Sequence, residues 1–415
     1  MRIAVIGSGI SGMAAAYYLS PKHQVFLFEK EPRLGGHTHT VTVESSQGPL
    51  AVDTGFIVHN DRTYPNLVRL FAELGVDTQP SDMSFAVACH RTGFEYSSRG
   101  LNGFFAQRAN LLRLDQHRLL WEILRFNREA SKLLDNSAVA TMTLGDVMEQ
   151  GRYPALFTER YLYPMASAVW SMSTDEISRF PALTLVRFFD NHGMLGINTH
   201  PKWKVIRGGS QSYIPPITAP YRDRIYTGID IRSIARDETG VTLHFRNRPA
   251  MRFDQVVFSC HGNQILPLLE APSDAERDIL GRFTTSRNEV CLHTDSRLLP
   301  GRPQARASWN YLLSSDPRAS ATVTYHMNRL QSLAVPEDYC VTLNANGSID
   351  SAKVLRRLVY FHPLYNSGAV QAQMRWNEIS GRNRTHFCGA YWFYGFHEDG
   401  LNSALRVARA LGAEC

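Results

Sequence analysis

The first three dozen residues alternate between short apolar runs and a glycine-rich turn. Residues 2–7 form an apolar, β-rich run typical of a buried parallel strand. Residues 13–19 are apolar and alanine-rich and predict a helix, and residues 24–28 predict a second buried strand. Between the first strand and the helix, residues 7–12 read Gly-Ser-Gly-Ile-Ser-Gly. The pattern predicts the opening strand–turn–helix–strand unit of a doubly wound sheet.

Apolar residues at helical spacing dominate the next part of the chain. Residues 65–74 predict a helix, and residues 103–134 predict one long helix or a pair of helices. Further helices are predicted at 144–149, 154–170 and 183–190. We therefore interpret residues 77–200 as a helical insertion that does not belong to the doubly wound sheet.

Strand patterns return in the second half of the chain. Residues 202–210 run from a strand into Gly208, Gly209 and Ser210, and residues 263–380 alternate strand and helix without a phosphate-binding motif. Three β-rich runs lie at 224–234, 240–246 and 252–259. The helix predicted at 401–411 follows a last strand and a second glycine-rich turn.

The glycine spacing near the N-terminus indicates a ligand. In a strand–turn–helix of this kind, Gly7 makes the tight turn, Gly9 lets the backbone approach a pyrophosphate, and Gly12 lets helix and strand pack closely. The helix N-terminus offers N–H groups and a partial positive charge to phosphates. Glu29 ends the second strand, where its carboxylate can accept hydrogen bonds from the ribose hydroxyls of an adenosine and would repel the 2′-phosphate of NADP.

Two more glycine-rich turns select among dinucleotides. Arg33, Gly35 and Gly36 have the Arg-x-Gly-Gly spacing that lines the flavin diphosphate in two-dinucleotide-fold flavoproteins, although the two glycines could also belong to an ordinary loop. Residues 395–400 place another anion-facing turn before the last helix. Together these turns favour FAD over NAD.

These turns lie at distant places in a chain of 415 residues, which is long enough for two domains. We predict an α/β fold with a discontinuous, two-dinucleotide (GR2-type) Rossmann-like FAD domain and an α+β substrate domain. The FAD domain is assigned to residues 1–76, 201–266 and 381–415, and the substrate domain to residues 77–200 and 267–380.

Composition and charge exclude several classes of protein. No apolar run approaches the roughly 20 residues of a membrane span, and the chain opens on its first strand, so we expect a cytoplasmic protein without a cleavable signal. The net charge of +6 is mild, and no basic run is interleaved with aromatic residues, so we expect no nucleic-acid partner. An anionic substrate or membrane surface suits this charge better.

Basic residues outnumber acidic ones by seven to three between Arg99 and Lys132. This segment is either a helix packed on its own protein or a basic amphipathic element at the inner face of an anionic membrane. The six cysteines lack Cys-x-x-Cys or metal spacing, so we expect reduced, structural thiols. His37, His39 and His59 have no acidic partner at ligand spacing, so we expect no metal.

The turns at residues 7–12, 33–36, 208–210 and 395–400 resemble those of the flavin-containing amine oxidase superfamily, which includes monoamine oxidases and phytoene desaturases. A closer resemblance over nearly the whole chain is to bacterial predicted NAD/FAD-binding proteins, similar to the flavoprotein domain of plant cyclopropane fatty-acid synthases. The strings that carry it are Gly35-Gly-His-Thr-His-Thr40, Val52-Asp-Thr-Gly-Phe56, Asn288 with Leu292-His-Thr-Asp295, Trp309-Asn-Tyr311, Met327-Asn-Arg-Leu-Gln331 and Gly395-Phe-His-Glu-Asp-Gly400.

The closer resemblance implies a fatty-acyl or phospholipid substrate and a lipid methyltransferase as a partner. The activity that it implies is hydride transfer from an acyl C–H to flavin N5, giving a C=C bond, as in desaturases that act on methylated acyl chains in furan fatty acid synthesis. The chain lacks the Ser-Gly-Gly-Cys-Tyr run of monoamine oxidases, so we expect noncovalent FAD rather than 8α-cysteinyl FAD.

Desaturation also needs a group that accepts a proton. The catalytic candidates are His397, Glu398, His261 and Tyr391, and hydrogen bonding or helix capping is the alternative role of His397 and Glu398. The residues predicted to bind FAD are Gly7, Gly9, Ser11, Gly12, Glu29, Lys30, Gly35, Gly36, His37, Thr54, Gly55, Gly389, Gly395, Phe396, Glu398, Asp399 and Gly400. Two other functions stay open, namely an amine or amino-acid oxidase that releases hydrogen peroxide and a non-catalytic flavoprotein partner of a lipid methyltransferase.

Overall fold

The computed structural model describes residues 1–196, 201–345 and 347–415, so residues 197–200, where the predicted helical insertion ends, lie outside the described part. The strands are β1 (Arg2–Ile6), β2 (Gln24–Phe28), β3 (Thr40–Ser45), β4 (Gly48–Asp53), β5 (Val58–Asn60), β6 (Thr78–Pro80), β7 (Phe85–Cys89), β8 (Phe94–Ser97), β9 (Trp203–Ile206), β10 (Ile225–Tyr226), β11 (Ile231–Asp237), β12 (Gly240–Phe245), β13 (Met251–Phe253), β14 (Gln255–Phe258), β15 (Thr284–His293), β16 (Trp309–Leu312), β17 (Thr322–His326), β18 (Cys340–Leu343), β19 (Val354–Leu364) and β20 (Thr385–Phe387). The α-helices are α1 (Ile10–Leu19), α2 (Pro65–Glu73), α3 (Gly100–Phe104), α4 (Leu114–Leu133), α5 (Leu144–Gln150), α6 (Ala155–Phe157), α7 (Tyr163–Trp170), α8 (Thr174–Ser178), α9 (Ala182–Asn191), α10 (Ile214–Thr218), α11 (Asp274–Leu280), α12 (Met327–Leu330), α13 (Ser367–Gln373), α14 (Trp376–Ile379) and α15 (His397–Ala410).

A five-stranded parallel sheet with the strand order β10-β2-β1-β14-β20 organises the nucleotide-binding side of the molecule. Val5 in the central strand pairs with Leu27 on one side and Val257 on the other, and all three side chains are fully buried. Burial on both faces explains why these strands read as continuous apolar runs. The antiparallel sheet β11-β12-β13 connects β10 to β14 along the chain.

A seven-stranded sheet with the order β19-β15-β18-β17-β16-β7-β8 forms the centre of the other side. It is antiparallel except where β7 pairs in parallel with β16. The prediction that residues 77–200 are a helical insertion is therefore wrong for their first part, which contributes β6, β7 and β8. A run as short as Phe85–Cys89 carries no periodicity that separates strand from helix, and one of its two partner strands, β16, lies far along the chain.

Helices cover one side of the seven-stranded sheet, and two of their boundaries differ from the prediction. Residues 103–134 are the end of α3, a 3₁₀ turn at Arg108–Leu112, and the single long helix α4. Residues 155–170 are continuous, with a π-helical turn at Thr158–Leu162 between α6 and α7.

The first and last helices pack side by side, although they lie at opposite ends of the chain. A Cβ added at Gly400 in α15 would lie 2.8 Å from both Ile10 Cγ2 and Ser11 Oγ in α1. α15 begins at His397, one turn earlier than predicted, because the Asp399 carboxylate accepts a hydrogen bond from the backbone N–H of Phe396. The N-termini of both helices therefore meet at the carboxyl edge of the parallel sheet.

Candidate active site

The first glycine-rich turn is held against its own sheet by close backbone packing. Gly7 has a positive φ of 101°, and a Cβ there would lie 3.0 Å from the backbone N of Cys260. A Cβ at Gly12 would lie 1.9 Å from the carbonyl oxygen of Gly7, so no side chain fits between helix and strand. At Gly9, by contrast, an added Cβ would meet nothing within 4 Å. The backbone of Gly9 therefore faces open space at the start of α1.

The second glycine-rich turn lies against the first. A Cβ on Gly36 would be 3.1 Å from the Cα of Gly9, and the N–H of Gly35 donates to the carbonyl oxygen of Ser8 at 3.1 Å. The guanidinium of Arg33 closes this turn, because its Nη2 donates to the carbonyl oxygen of Gly36 at 2.8 Å. Two turns predicted to bind the same dinucleotide are thus adjacent in space.

Glu29 is fixed beside these turns at the end of β2. Its Oε2 accepts hydrogen bonds from the N–H of Ser8 at 2.8 Å and from the Ser8 hydroxyl at 2.6 Å, and its Oε1 accepts from the N–H of Glu31 at 2.9 Å. A carboxylate has about four acceptor positions, so one remains for a ribose hydroxyl. Lys30, the next residue in the chain, is exposed to solvent.

The loop after β4 packs against the backbone of His37 and donates hydrogen bonds to the carbonyl oxygens of His37 and His39. A Cβ at Gly55 would lie 2.1 Å from the carbonyl oxygen of His37, which accepts a hydrogen bond from the N–H of Phe56 at 2.8 Å. Thr54 donates its hydroxyl to the carbonyl oxygen of His39 at 2.9 Å. Gly55 is therefore needed for this close crossing of two backbone segments.

His37 lies within a group of rings. Its ring centroid is 5.3 Å from that of His362, 5.9 Å from that of His261, and 5.1 Å from that of Tyr360. Burial, assisted by the neighbouring His362 and His261, holds the pKa of His37 well below its usual value, and burial lowers the pKa of His362 to about 4. The Nε2 atom of His37 is buried without a hydrogen-bond partner.

His397 opens the last helix. Its ring stacks on Phe56 with 3.6 Å between centroids, and its Nε2 lies 3.0 Å from the hydroxyl of Thr38. That hydroxyl also lies 2.5 Å from the hydroxyl of the buried Tyr213, so His397 ends a chain of two hydroxyl groups. Burial and, secondarily, His59 lower the pKa of His397 to about 3, which keeps the imidazole neutral. The sequence predicted no role at this site for Thr38 or Tyr213.

The two acidic residues after His397 accept backbone hydrogen bonds at the starts of two helices. Glu398 accepts hydrogen bonds from the N–H groups of Asn66 at 3.0 Å and Leu67 at 2.8 Å, the first free donors of α2. Asp399 caps its own helix, as described above. Burial raises the pKa of Glu398 and raises that of Asp399 to about 7. The turn before them is tight, because a Cβ on Gly395 would lie 2.6 Å from the hydroxyl oxygen of Tyr365.

Tyr391 belongs to a different group of side chains from His397. Its ring packs 4.8 Å from Phe283 and 5.3 Å from Trp392, and its hydroxyl is buried without a hydrogen-bond partner. The preceding Gly389 donates its N–H to Ser403 in α15 at 3.0 Å. The structure thus places Tyr391 and His397 in different surroundings.

The buried carboxylate of Asp53, which the sequence singled out only within the string Val52–Phe56, ties the two sides of the molecule together. Asp53 accepts from the hydroxyl of Thr40 at 2.6 Å and from the N–H of Ser210 at 2.8 Å. It also accepts from the side chain of Gln331, directly after α12, at 3.2 Å. Burial raises the pKa of Asp53 to about 6. The signal in the sequence was the string around Asp53, but nothing in the sequence joined it to its partners.

The arrangement fits a long cofactor that carries a diphosphate. Gly9 leaves open space at the N-terminus of α1, whose first N–H groups have no side-chain cap. Glu29 is held beside the glycine turns, where the sequence predicts contact with a ribose, and the unpartnered Nε2 of His37 offers a hydrogen bond beside the same turns. The N-terminus of α15 faces the same region through Gly400. The fold and site therefore define a dinucleotide-binding protein.

The chain belongs to a known family. The sequence model described as flavin containing amine oxidoreductase matches residues 10–335, which is more than half of the chain. This match confirms the predicted superfamily and FAD as the cofactor of the family. The narrower resemblance to lipid-associated proteins and the noncovalent attachment of FAD stay predictions.

The matches to two curated relatives span only part of the length of each relative. An L-amino acid dehydrogenase of Synechocystis sp. is 25% identical over 250 residues, which are 57% of this chain and 51% of the relative. A protoporphyrinogen oxidase of Schizosaccharomyces pombe is 42% identical over 52 residues, 12% of this chain and 11% of the relative. The chain thus matches about half of the first relative and about a tenth of the second.

Solved structures share the fold over nearly the whole chain. A putrescine oxidase with putrescine bound has a TM-score of 0.70 and 13% identity, covering 99% of both chains. A CLA-producing fatty acid isomerase from P. acnes has a TM-score of 0.72 and 14% identity, covering 99% of both chains. A cyclohexylamine oxidase from Brevibacterium oxydans IH-35A has a TM-score of 0.69 and 15% identity, covering 99% of this chain and 98% of that chain. At such identities the likeness shows the fold, and it confirms the predicted α/β class with a sheet-and-helix substrate domain.

Within the described ranges, none of the helices combines the length and the apolar character that a membrane crossing requires.

Proposed function

We propose that the chain oxidises an acyl lipid, transferring hydride from a C–H bond to FAD and leaving a C=C bond, with methylated acyl chains of furan fatty acid synthesis as the most specific form. The observation that carries this proposal is a cluster of four aromatic side chains at the last turn, two buried and two partly buried, next to carboxylates that already accept hydrogen bonds from the protein.

The aromatic wall, as we name it, consists of Trp170, Phe188, Tyr394 and Phe396. Phe188 stacks on Phe396 at 5.0 Å between centroids and lies 4.9 Å from Trp170, whose indole N–H donates to the carbonyl oxygen of Tyr394 at 3.3 Å. Phe396 directly precedes His397, so the wall adjoins the turn predicted to contact FAD. An apolar chain gains free energy by burial against such side chains.

The buried carboxylates of the site accept hydrogen bonds from donors of the protein itself. Asp53 accepts from Thr40, Ser210 and Gln331, Glu398 accepts from α2, and Asp399 accepts from the N–H of Phe396. Each of these three carboxylates therefore already serves as a hydrogen-bond acceptor within the protein. A substrate ammonium would have to displace those donors to pair with one of them, which disfavours an amine as substrate.

Besides FAD, the aromatic wall and His397 act in the proposed reaction. Bound FAD supplies the hydride acceptor. The aromatic wall excludes water and orients the chain. His397 is neutral, and its imidazole can take the proton that leaves at Nδ1 while its Nε2–H donates to the hydroxyl of Thr38, which lies 3.0 Å away. A weak base suffices, because loss of hydride makes the neighbouring C–H bond strongly acidic.

Anaerobic mixing of the FAD-loaded protein with separated phospholipid fractions tests the proposal. We expect one fraction to bleach the flavin absorbance near about 450 nm, and the recovered lipid to have lost two hydrogens per FAD reduced. Amines and L-amino acids serve as the comparison panel. Bleaching by a member of that panel, with no lipid fraction active, would contradict the proposal.

An amino-acid substrate is the second candidate, and the relative that is an L-amino acid dehydrogenase favours it. The two candidates predict different products under the same conditions. Oxidation of an amino acid gives an imino acid that hydrolyses with release of ammonia, whereas oxidation of an acyl chain releases none. Ammonia measured after each anaerobic reaction separates them.

A further inference from the structure

We propose that one face of the helical layer docks on an anionic phospholipid surface. This face, named here the α3–α4 face, comprises α3, the 3₁₀ turn at Arg108–Leu112 and the outward side of α4. Its apolar members are Leu101, Leu111, Leu112, Leu114, Trp121 and Leu124. The inference concerns binding and does not rest on the proposed oxidation of an acyl chain.

Exposed apolar side chains are concentrated on this face. Leu112 is 91% exposed, Leu114 is 86% exposed and Leu101 is 68% exposed. The six apolar members are more than half of the eleven large apolar side chains that are exposed in the described part of the chain. Scattered single residues of this kind are ordinary, but a contiguous group marks an interaction surface.

Exposed basic side chains surround the apolar ones. They are Arg108, Arg113, Arg118, Arg128 and Lys132. The acids of the same segment do little to neutralise them. Glu122 and Glu129 both pair with Arg125 at 3.2 Å, and the five exposed basic side chains outnumber the two acids whose side chains are exposed in this described segment, Asp115 and Glu129. The face is therefore positively charged and complements an anionic surface.

The spacing along α4 places both kinds of side chain on the same side. Leu114, Arg118, Trp121 and Arg128 recur at helical intervals and point outward, while Phe126 packs into the core on the opposite side. Exposed leucine and tryptophan side chains surrounded by an excess of arginine and lysine suit the boundary between lipid headgroups and acyl chains, because the apolar side chains can enter the acyl region while the cationic ends stay among anionic headgroups. We therefore assign a membrane, rather than a second protein, to this face.

The docked face lies on the outside of the layer that carries the aromatic wall. Phe126 of α4 belongs to the same hydrophobic core as Phe188, and Phe396 packs against that core. Docking through α4 would therefore bring a lipid surface to the outer side of the helices whose inner side adjoins the last turn.

Sedimentation of the FAD-loaded full chain with vesicles tests this inference. We expect binding to phosphatidylcholine vesicles that contain about 30% phosphatidylglycerol, and at least about tenfold weaker binding to phosphatidylcholine alone. The double variant Leu112→Asp/Leu114→Asp should lose binding by at least about tenfold. Met374→Asp, at an exposed position outside this face, should bind as the wild type does.

A charge variant provides a second test that does not depend on the leucines. Arg113→Gln/Arg118→Gln should weaken binding to anionic vesicles by about fivefold for each charge removed and reduce its dependence on salt. FAD content shows that each variant is folded. Wild-type protein that stays in the supernatant with anionic vesicles, or variants that bind like the wild type, would overturn the inference. So would a soluble dimer of the wild type that Leu112→Asp/Leu114→Asp converts to a monomer, because the face would then be a protein contact.

Discussion

Replacing Gly9 with alanine is expected to leave the protein folded and to weaken FAD binding by at least about 100-fold. The backbone at Gly9 has φ −63° and ψ 178°, which alanine adopts freely, and an added Cβ meets no protein atom within 4 Å. The same methyl group would occupy the space through which the backbone approaches the pyrophosphate. Titration of flavin-free protein with FAD, followed by flavin fluorescence, measures the affinity, and urea unfolding measures the stability.

Two other glycines calibrate that experiment. Gly301→Ala should change neither property, because the added Cβ would lie 3.9 Å from its nearest neighbour, the Glu95 carboxylate. Gly12→Ala should reduce both stability and FAD affinity, because its Cβ would lie 1.9 Å from the carbonyl oxygen of Gly7. A Gly9→Ala protein that binds FAD as tightly as the wild type would show that the dinucleotide does not approach this turn.

Removing the guanidinium of Arg236 is expected to destabilise the fold by about 3–5 kcal/mol. Arg236 in β11 donates two hydrogen bonds to the carboxylate of Glu276 in α11, at 2.5 and 2.9 Å, and both side chains are buried. Burial alone would raise the pKa of Glu276, but Arg236 and the N–H of Ser273 hold it below its usual value. Arg236→Ala would therefore leave a charged carboxylate buried without its partner. Urea unfolding of the FAD-bound protein measures the change in free energy.

An exposed pair at the end of the same sheet, one residue before β11 and one residue after β12, is the control for Arg236. Arg246 and Asp230 are 2.8 Å apart, but their side chains are 61% and 52% exposed. Water screens such a pair, so Arg246→Ala should cost no more than about 1 kcal/mol. Equal losses of stability in the two variants would contradict the view that the buried pair ties β11 to α11.

The sequence predicted those parts of the fold whose signal is local. Continuous apolar runs identified β1, β2 and β14, because both faces of these strands are buried. The glycine spacing at Gly7, Gly9 and Gly12 has a steric meaning that is readable without any partner. Such features need only neighbours in the sequence or a ligand, so a sequence is enough to predict them.

The sequence could not predict the parts that depend on distant partners. Asp53 is buried because Ser210 and Gln331, which are 157 and 278 residues away along the chain, donate to it. Glu398 similarly accepts from α2, where its donor Leu67 lies 331 residues away along the chain. β7 pairs with β8, which follows it in the sequence, but it joins the seven-stranded sheet through the distant β16. In each case the local pattern permits several structures, and tertiary contact selects one.

Hydrogen–deuterium exchange with and without FAD tests the central claim most directly, since that claim is that glycine-rich turns from both ends of the chain close on one cofactor. Addition of FAD should slow exchange in peptides that cover residues 7–13 and 35–38 and, to a comparable degree, in peptides that cover residues 395–401. Protection confined to the N-terminal peptides, with the start of α15 unchanged, would contradict the account.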